Sequence, residues 1–249
     1  MLKTISWLLS WPLTVFECHF RAFGFDKNVR SFWEEFAYRC LFSVLRPVTY
    51  PKFDLIVNSC RNENCKILLL TYHSAYLAAI FKWASSIRKK INILVRPPRS
   101  LILNVIYKIV ELFFPVKFLN RFNLLGIKDS EVLVALLDQD TKTKGRFINF
   151  WGLLAKTPAT LFKIAKKEKF TIYFLKFTRS DASIELTFIK LPELDDDFKA
   201  ATEYNTLLED AIRNDISSWC WFHKRWRTRP DKMLSHEEYI DFFNSFRLF

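Results

Sequence analysis

Lys66-Ile-Leu-Leu-Leu-Thr-Tyr-His-Ser74 is the stretch that decides how this sequence folds. Its apolar residues form a short continuous run, which is typical of a strand buried on both faces of a parallel sheet. The residues that follow, from Ala75 to about Arg88, have their apolar side chains at helical spacing. His73 is therefore predicted to lie where a buried strand is followed by a helix.

Two other strand-like runs also end on polar side chains. Ile91 to Val95 leads directly into Arg96, and Glu131 to Leu137 leads into Asp138-Gln-Asp140. In open α/β sheets, ligands bind outside the carboxyl ends of the strands. His73, Arg96 and the two aspartates are therefore predicted to face one crevice.

Other segments complete the prediction of the fold. Phe170–Phe177 and Ile184–Leu191 are strand-like on either side of a polar turn, which predicts an antiparallel hairpin. Residues 28–47 have the spacing of an amphipathic helix, and Thr157 is predicted to cap a helix that begins at Pro158. The predicted fold class is thus α/β, with a mixed β-sheet flanked by helices.

The composition excludes several classes of protein. Only 4 of the 249 residues are glycine, which argues against the glycine-rich phosphate loops of nucleotide-binding enzymes. The 5 cysteines are an odd number and lack paired CxxC spacing, so the sequence predicts neither a disulfide framework nor a zinc site. We predict a single compact domain without a metal or a cofactor.

The charge indicates an anionic partner. The formal net charge of +12 would attract nucleic acid, anionic lipid headgroups or an acidic carrier protein. The tail from Trp219 to Pro230 alternates aromatic and cationic residues, a mixture suited to single-stranded nucleic acid or to an anionic membrane surface. Charge alone leaves these alternatives open.

The N-terminus carries a short apolar segment. The run from Ile5 to Phe16 is shorter than the roughly 20 residues that a membrane-spanning helix needs. Trp7 and Trp11 suit the depth of lipid headgroups, so we predict a membrane-associated helix that lies in the interface. An ordinary core helix is the alternative interpretation. The predicted division is a membrane-associated segment at residues 1–25 and one domain at residues 26–249.

His73 is the candidate catalytic residue, although a histidine at a strand end is often structural. Acyl transfer to a hydroxyl requires a base for the attacking oxygen and a donor for the tetrahedral oxyanion, and His73 with Arg96 would supply these two roles. Asp138 and Asp140 would bind a metal, orient a base or belong to an ordinary polar loop. The residues alone leave these roles open.

Several motifs stand in an order and spacing that match a known family. They are Leu137-Asp-Gln-Asp140, Gly145-Arg-Phe-Ile-Asn-Phe-Trp-Gly152 and Thr157-Pro-Ala-Thr160. Near the C-terminus stand the Asn, Glu and Arg of residues 204–213 and Trp221-Phe-His-Lys-Arg-Trp226. Together they resemble the bacterial lipid A lauroyl/myristoyl acyltransferases of the lysophospholipid acyltransferase superfamily, over the chain from about residue 67 to residue 230.

This resemblance implies transfer of a fatty acyl chain from an acyl carrier protein to a hydroxyl of a lipid A precursor or a related glycolipid. It implies an enzyme held at the cytoplasmic face of the bacterial inner membrane, without a nucleic acid partner. His73 would be catalytic, and Arg96, Asp138, Asp140 and Arg225 would contribute to substrate binding.

The chain departs from the family at the catalytic motif, which consists of His, four residues and then Glu or Asp. Here the motif is His73-Ser-Ala-Tyr-Leu-Ala78, so the acidic residue is absent. Such a carboxylate fixes the tautomer of the imidazole and stabilises the imidazolium. The alternative function is therefore a catalytically inactive relative that binds lipid or partners an active acyltransferase.

Overall fold

The computed structural model describes residues 14–25, 29–51, 53, 56, 66–87, 90–95, 101–120, 124–140, 145–192 and 196–246. Within these residues the strands are β1 (Val48–Thr49), β2 (Lys66–Thr71), β3 (Ile91–Val95), β4 (Val116–Asn120), β5 (Val132–Leu136), β6 (Gly145–Phe150), β7 (Leu153–Pro158), β8 (Phe170–Arg179) and β9 (Ile184–Lys190).

The helices of the described residues flank these strands. They span residues 14–22, Val29–Leu45, Ala78–Ile87, Leu101–Phe113, Leu124–Lys128, Thr160–Lys167, Asp197–Asn214 and His236–Ser245. The helix predicted at residues 28–47 is confirmed as Val29–Leu45, but its predicted apolar face is not, because Leu41, Val44 and Leu45 are exposed. The helix predicted after His73 begins three residues later than expected, at Ala78.

One seven-stranded sheet has the order β1-β9-β8-β2-β5-β3-β4. Strand β2 lies inside it, parallel to β5 on one side and to β8 on the other. Strands β8 and β9 are antiparallel, as the hairpin in the sequence predicted, so the sheet is mixed but mainly parallel. Residues 67–70 of β2 are fully buried because neighbouring strands and helices cover the strand on all sides. The predicted α/β class is confirmed.

The register of β2 and β5 determines where their following residues lie. Thr71 is the partner of Leu136 in the parallel ladder. His73 and Asp138 each follow these partners by two residues. Parallel strands with matched ends bring both residues to the same edge of the sheet, as the sequence predicted for the crevice.

Thr157 does not cap a helix, so this prediction was wrong. Strand β7 continues through Pro158 as the second strand of a hairpin with β6, and the helix begins at Thr160 after Ala159. The Thr157 hydroxyl is buried and is hydrogen-bonded to Asn205 and Arg225. It is therefore not available to a helix N-terminus.

The described part of the predicted membrane-associated segment packs into the protein core. Phe16 and Phe20 are buried, and the buried His19 ring contacts the Trp221 carbonyl at 2.9 Å and the Tyr239 hydroxyl at 2.7 Å. Among the residues that the structure describes, no helix has the length and apolarity to cross a membrane. Residues 1–13 lie outside the described residues, and the division after residue 25 stays a prediction.

The tryptophans of the C-terminal tail are core residues, and Phe222 is partly buried against the core. Trp219, Trp221 and Trp226 are fully buried and pack against one another, with ring centroids of Trp219 and Trp221 separated by 4.6 Å. Their faces therefore cannot stack on bases or insert among lipid headgroups. The interpretation of Trp221 and Trp226 as residues of an exposed binding surface was wrong.

Candidate active site

His73 and Asp138 form a closely bonded pair at the edge of the sheet. The Nδ1 atom of His73 lies 2.7 Å from Oδ1 of Asp138. The backbone N–H of His73 donates to Oδ2 of the same carboxylate at 2.9 Å. Two bonds from one residue to both carboxylate oxygens fix the imidazole relative to the backbone, so one carboxylate orients the histidine.

Asp138 is fully buried, and its carboxylate is nevertheless stabilised as an anion. Burial by itself raises its pKa, but the charge and the hydrogen bond of His73 outweigh burial, with further contributions from His223 and from the Trp219 indole. The Trp219 Nε1–H donates to Oδ2 at 2.7 Å. The pKa of Asp138 thus lies well below its usual range, and the ionised acid accepts the Nδ1–H of His73.

Trp219→Phe is expected to destabilise the protein through Asp138. It removes one donor to a buried anion, a loss of about 1.5–3 kcal/mol in unfolding free energy at neutral pH, besides the cost of the smaller ring. Because its folded-state pKa is depressed, Asp138 stabilises the fold above its ordinary pKa of 3.8, and this stabilisation disappears as the pH falls through the folded-state pKa. Without the indole donor the folded-state pKa of Asp138 rises towards its unfolded value, so the variant loses less stability than the wild type as the pH falls, and the deficit seen at neutral pH narrows in acid.

Urea unfolding from neutral into acid pH would measure both effects. Trp226→Phe is the matched control, since Trp226 is equally buried but its indole donates to the neutral Phe150 carbonyl at 3.2 Å. The control should lose stability by a similar amount at every pH. Identical pH profiles for the two variants would contradict the role of the Trp219 indole.

Gln139 and His223 form the other side of the site. The Nε2 atom of Gln139 lies 3.1 Å from Nε2 of His73 and 3.0 Å from Nε2 of His223. Burial, and secondarily the charge of His73, lowers the pKa of His223 to about 3, which leaves this ring neutral at physiological pH. His223 was not among the predicted site residues, although it belongs to the tail motif that carried the family resemblance.

Asp140 contacts the tail of the protein. Its Oδ2 atom accepts from the backbone N–H of Thr228 at 3.0 Å and from the Thr228 hydroxyl at 2.7 Å. Burial raises its pKa, against the lowering effect of these two bonds. The observed contacts fasten the loop after β5 to the tail, and a contact of Asp140 with substrate stays a prediction.

Arg225 is fully buried and makes several hydrogen bonds with protein groups. It donates to the carbonyl oxygens of Gln139 at 3.3 Å and Lys156 at 2.9 Å. It also donates to Thr157 Oγ1 at 2.8 Å and to Asn205 Oδ1 at 3.2 Å. These bonds hold the loop after β5 against β7. These hydrogen bonds do not test the predicted contact of Arg225 with substrate. Arg96, the other arginine predicted to bind substrate, lies outside the described residues.

The segment after His73 is fastened to the residues that precede the tail. The backbone N–H of Ala75 donates to the Ser218 carbonyl at 2.7 Å, and the Tyr76 hydroxyl donates to Oδ2 of Asp215 at 2.6 Å. Tyr76 therefore anchors the turn that leads to Ala78. These bonds help to hold His73 in place.

His73, Asp138 and His223 each offer an atom within 4.8 Å of the others, close enough to hold a metal ion. Both oxygens of Asp138 are already engaged, however, by the donors on His73 and Trp219. The two imidazoles would then provide fewer than the three protein ligands that catalytic zinc sites use. The arrangement suits a base with its orienting acid better than a metal centre.

A comparison with protein families supplies an independent finding. Residues 54–228, well over half of the chain, match the family model for bacterial lipid A biosynthesis acyltransferases. A search of curated proteins finds no match. The matched range contains His73, the loop after β5 and the tail residues His223 and Arg225.

Proposed function

The chain belongs to the bacterial lipid A biosynthesis acyltransferase family, and from that premise we propose that it is an active O-acyltransferase. It transfers a fatty acyl chain from an acyl carrier protein to a hydroxyl of a lipid A precursor or a related glycolipid. The observation that carries this proposal is the 2.7 Å contact between His73 Nδ1 and the buried carboxylate of Asp138.

Asp138 fills the role of the acid that is missing at Ala78. An orienting carboxylate has to accept the Nδ1–H of the imidazole and stabilise the imidazolium that forms during reaction. Asp138 meets both requirements because it is ionised, buried and bonded to Nδ1. The acid thus comes from the neighbouring strand β5 instead of from the helix after His73.

The residues support a general-base mechanism. With Nδ1 protonated and bonded to Asp138, the Nε2 atom of His73 has a lone pair available for the proton of the acceptor hydroxyl. The hydroxyl oxygen attacks the thioester carbonyl as its proton moves to Nε2. Collapse of the tetrahedral intermediate releases the thiolate of the carrier, which then takes the proton from Nε2. Asp138 stabilises the charged imidazole between these steps.

The surface properties support the proposed partners. The net charge of +12 favours an acidic carrier protein and a phosphorylated lipid acceptor. The helix Leu101–Phe113 exposes a cluster of large apolar side chains, which suits contact with a bilayer at the cytoplasmic face of the bacterial inner membrane. These side chains are Val105, Ile106, Ile109, Leu112 and Phe113.

A groove near the same helix supports an acyl substrate. It has a volume of about 630 Å³ and lies between the helix and the ends of β3 and β4, where Val95, Ile109 and Phe118 contribute to its lining. Since β3 runs parallel to β5, Val95 lies at the edge of the sheet that also carries His73 and Asp138. The groove thus lies at the same end of the sheet as the proposed catalytic pair, and its mainly apolar lining suits a fatty acyl chain.

The direct test is an assay with purified protein in detergent, an acylated carrier protein and a lipid A precursor. We expect a product whose mass increases by one acyl chain, detected by mass spectrometry, and no product with the His73→Ala control. Lipid A from cells that lack the gene should carry one acyl chain fewer. Absence of product from well-folded wild-type protein would contradict the proposal.

A catalytically inactive relative is the second candidate function because Ala78 replaces the acid of the motif. A single substitution at Ala78 distinguishes this candidate from the active acyltransferase. If Asp138 already orients His73, Ala78→Glu should leave the rate close to that of the wild type, because Nδ1 is engaged. An inactive relative would show no wild-type turnover and would gain activity from the restored acid. Activity that appears only in Ala78→Glu would favour the second candidate.

A further inference from the structure

The side-chain amide of Gln139 lies between two imidazole rings. Its nitrogen is 3.1 Å from Nε2 of His73 and 3.0 Å from Nε2 of His223, and the two ring centroids are 4.6 Å apart. In the proposed function, Nε2 of His73 is the atom that receives the substrate proton. An inference about Gln139 therefore rests on that proposed function.

The orientation of the amide follows from the protonation of its neighbours. In the neutral tautomer whose Nδ1–H donates to Asp138, the Nε2 atom of His73 carries a lone pair. Only the NH₂ end of an amide can bond to a lone pair. The same amide nitrogen lies 3.0 Å from Nε2 and 3.2 Å from Nδ1 of His223, whose neutral ring has one nitrogen that can accept.

An acceptor hydroxyl has to use the same lone pair. A general base receives its proton over a distance of about 2.6–3.2 Å between heavy atoms, which is the distance at which Gln139 Nε2 now lies. His73 retains 30% exposure of its side chain, so the base lies at an accessible surface. An acceptor oxygen that uses this lone pair would have to take the place of the Gln139 nitrogen.

The backbone of Gln139 is held, whereas its side chain is partly exposed. Its carbonyl oxygen accepts from the buried Arg225 at 3.3 Å. The residues on either side are fastened as well, Asp138 to His73 and Asp140 to Thr228. Displacement of the amide from His73 Nε2 would thus involve the side-chain torsions of Gln139 and not its backbone.

We propose that Gln139 is a placeholder for the acceptor hydroxyl, which means that its amide occupies the position of the hydroxyl in the substrate-free protein. When the hydroxyl displaces it, the amide is braced by a hydrogen bond to His223 and donates to the carbonyl oxygen of the acyl donor. The acceptor oxygen forms its bond to the thioester carbon as its proton passes to His73 Nε2. The carbonyl electron pair becomes the oxyanion, which accepts from the Gln139 N–H. When the C=O bond re-forms, the C–S bond breaks and the thiolate takes the proton from His73.

Gln139→Leu tests the catalytic part of this inference, since leucine has a similar size and no donor. Loss of one oxyanion donor lowers kcat by about 10²–10³. The KM for the acceptor should stay level or fall, because no amide competes for His73 Nε2. A kcat within a few-fold of the wild type, in an assay where the wild type is active, would overturn the inference and leave the proposed function standing.

The role of His223 is tested by comparing two substitutions at this position. His223→Gln keeps an amide that can contact Gln139, whereas His223→Leu does not. We expect kcat to fall in His223→Leu and to be recovered substantially in His223→Gln, with both proteins unfolding at similar denaturant concentrations. Equal kcat values for the two variants would overturn the bracing role.

A spectroscopic measurement separates failure of the inference from failure of the proposed function. The ¹⁵N chemical shift of His73 Nε2 reports whether its lone pair accepts a hydrogen bond, and Gln139→Leu should move this resonance in the substrate-free protein. An unchanged resonance would overturn the placeholder contact even if the enzyme is active. A wild type that transfers no acyl chain would overturn the proposed function and the catalytic part of the inference together.

Discussion

Asp138→Asn is expected to lower kcat for acyl transfer by about four powers of ten, the loss found when an amide replaces the carboxylate that orients a catalytic histidine. The reason lies at His73 Nδ1, which donates to Asp138 Oδ1 at 2.7 Å. An asparagine cannot stabilise the imidazolium by charge, and its NH₂ group favours the wrong tautomer. KM should change little because the acid acts through the base.

The measurement has to separate catalysis from folding, since Asp138 is fully buried. Asparagine preserves the size of the side chain and one acceptor oxygen, and urea unfolding would show how much stability is lost. Asp140→Asn is the matched control, because Asp140 lies in the same loop but contacts Thr228. The control should affect stability far more than kcat.

The double variant with His73→Ala provides a further test. If the two side chains act as one unit, removing both should cost no more than removing His73 alone. A wild-type rate in Asp138→Asn would contradict the assignment of Asp138 as the orienting acid. Additive losses would instead indicate separate roles for the two residues.

The strands that bear the site were predictable because their physical signal is local. A strand such as β2 is covered on both faces and reads as a continuous apolar run, and the same holds for β5. The polar residues directly after these runs, His73 and Asp138, could therefore be placed at one edge of the sheet. Matching of Thr71 with Leu136 in the ladder then brings the two side chains together.

The hairpin of β6 and β7 was not predicted because its turn, Trp151-Gly152, has the usual glycine second but a tryptophan where Asn or Asp is usual. Trp151 lies in the turn with a φ of 55°, a conformation that a bulky residue rarely adopts. Tertiary contacts hold it there. Its backbone N–H donates to Glu209 at 2.8 Å, and the Arg213 guanidinium lies 4.0 Å from the centroid of its ring. Both partners are distant in sequence.

The local sequence also could not predict that Asp138 replaces the acid that is missing at Ala78. Whether Asp138 or Asp140 reaches Nδ1 of His73 depends on the register of two strands and on the path of the loop, which only the assembled sheet fixes. His223 was missed for a similar reason, because it enters the site from a tail 84 residues away from Gln139. The motif identified the tail but not the direction of its side chains.

Arg225→Met is expected to lower the free energy of unfolding by about 3–5 kcal/mol, the range for breaking a buried charged network. The guanidinium donates to two backbone carbonyls and to the side chains of Thr157 and Asn205, and the substitution leaves these buried acceptors short of donors. Methionine fills much of the volume, so the loss comes mainly from the hydrogen bonds.

Arg229→Met serves as the control, since Arg229 donates to the Leu154 carbonyl at 3.0 Å in an exposed position. Its replacement should lower the free energy of unfolding by well under half as much.

Kinetics then distinguish the two roles of Arg225, support of the loop and binding of substrate. If it supports the loop that carries Asp138 and Gln139, kcat falls together with stability and KM stays near the wild-type value. If it binds substrate instead, as the family resemblance implies, KM rises while stability is preserved, and that outcome would contradict the role inferred from its buried contacts.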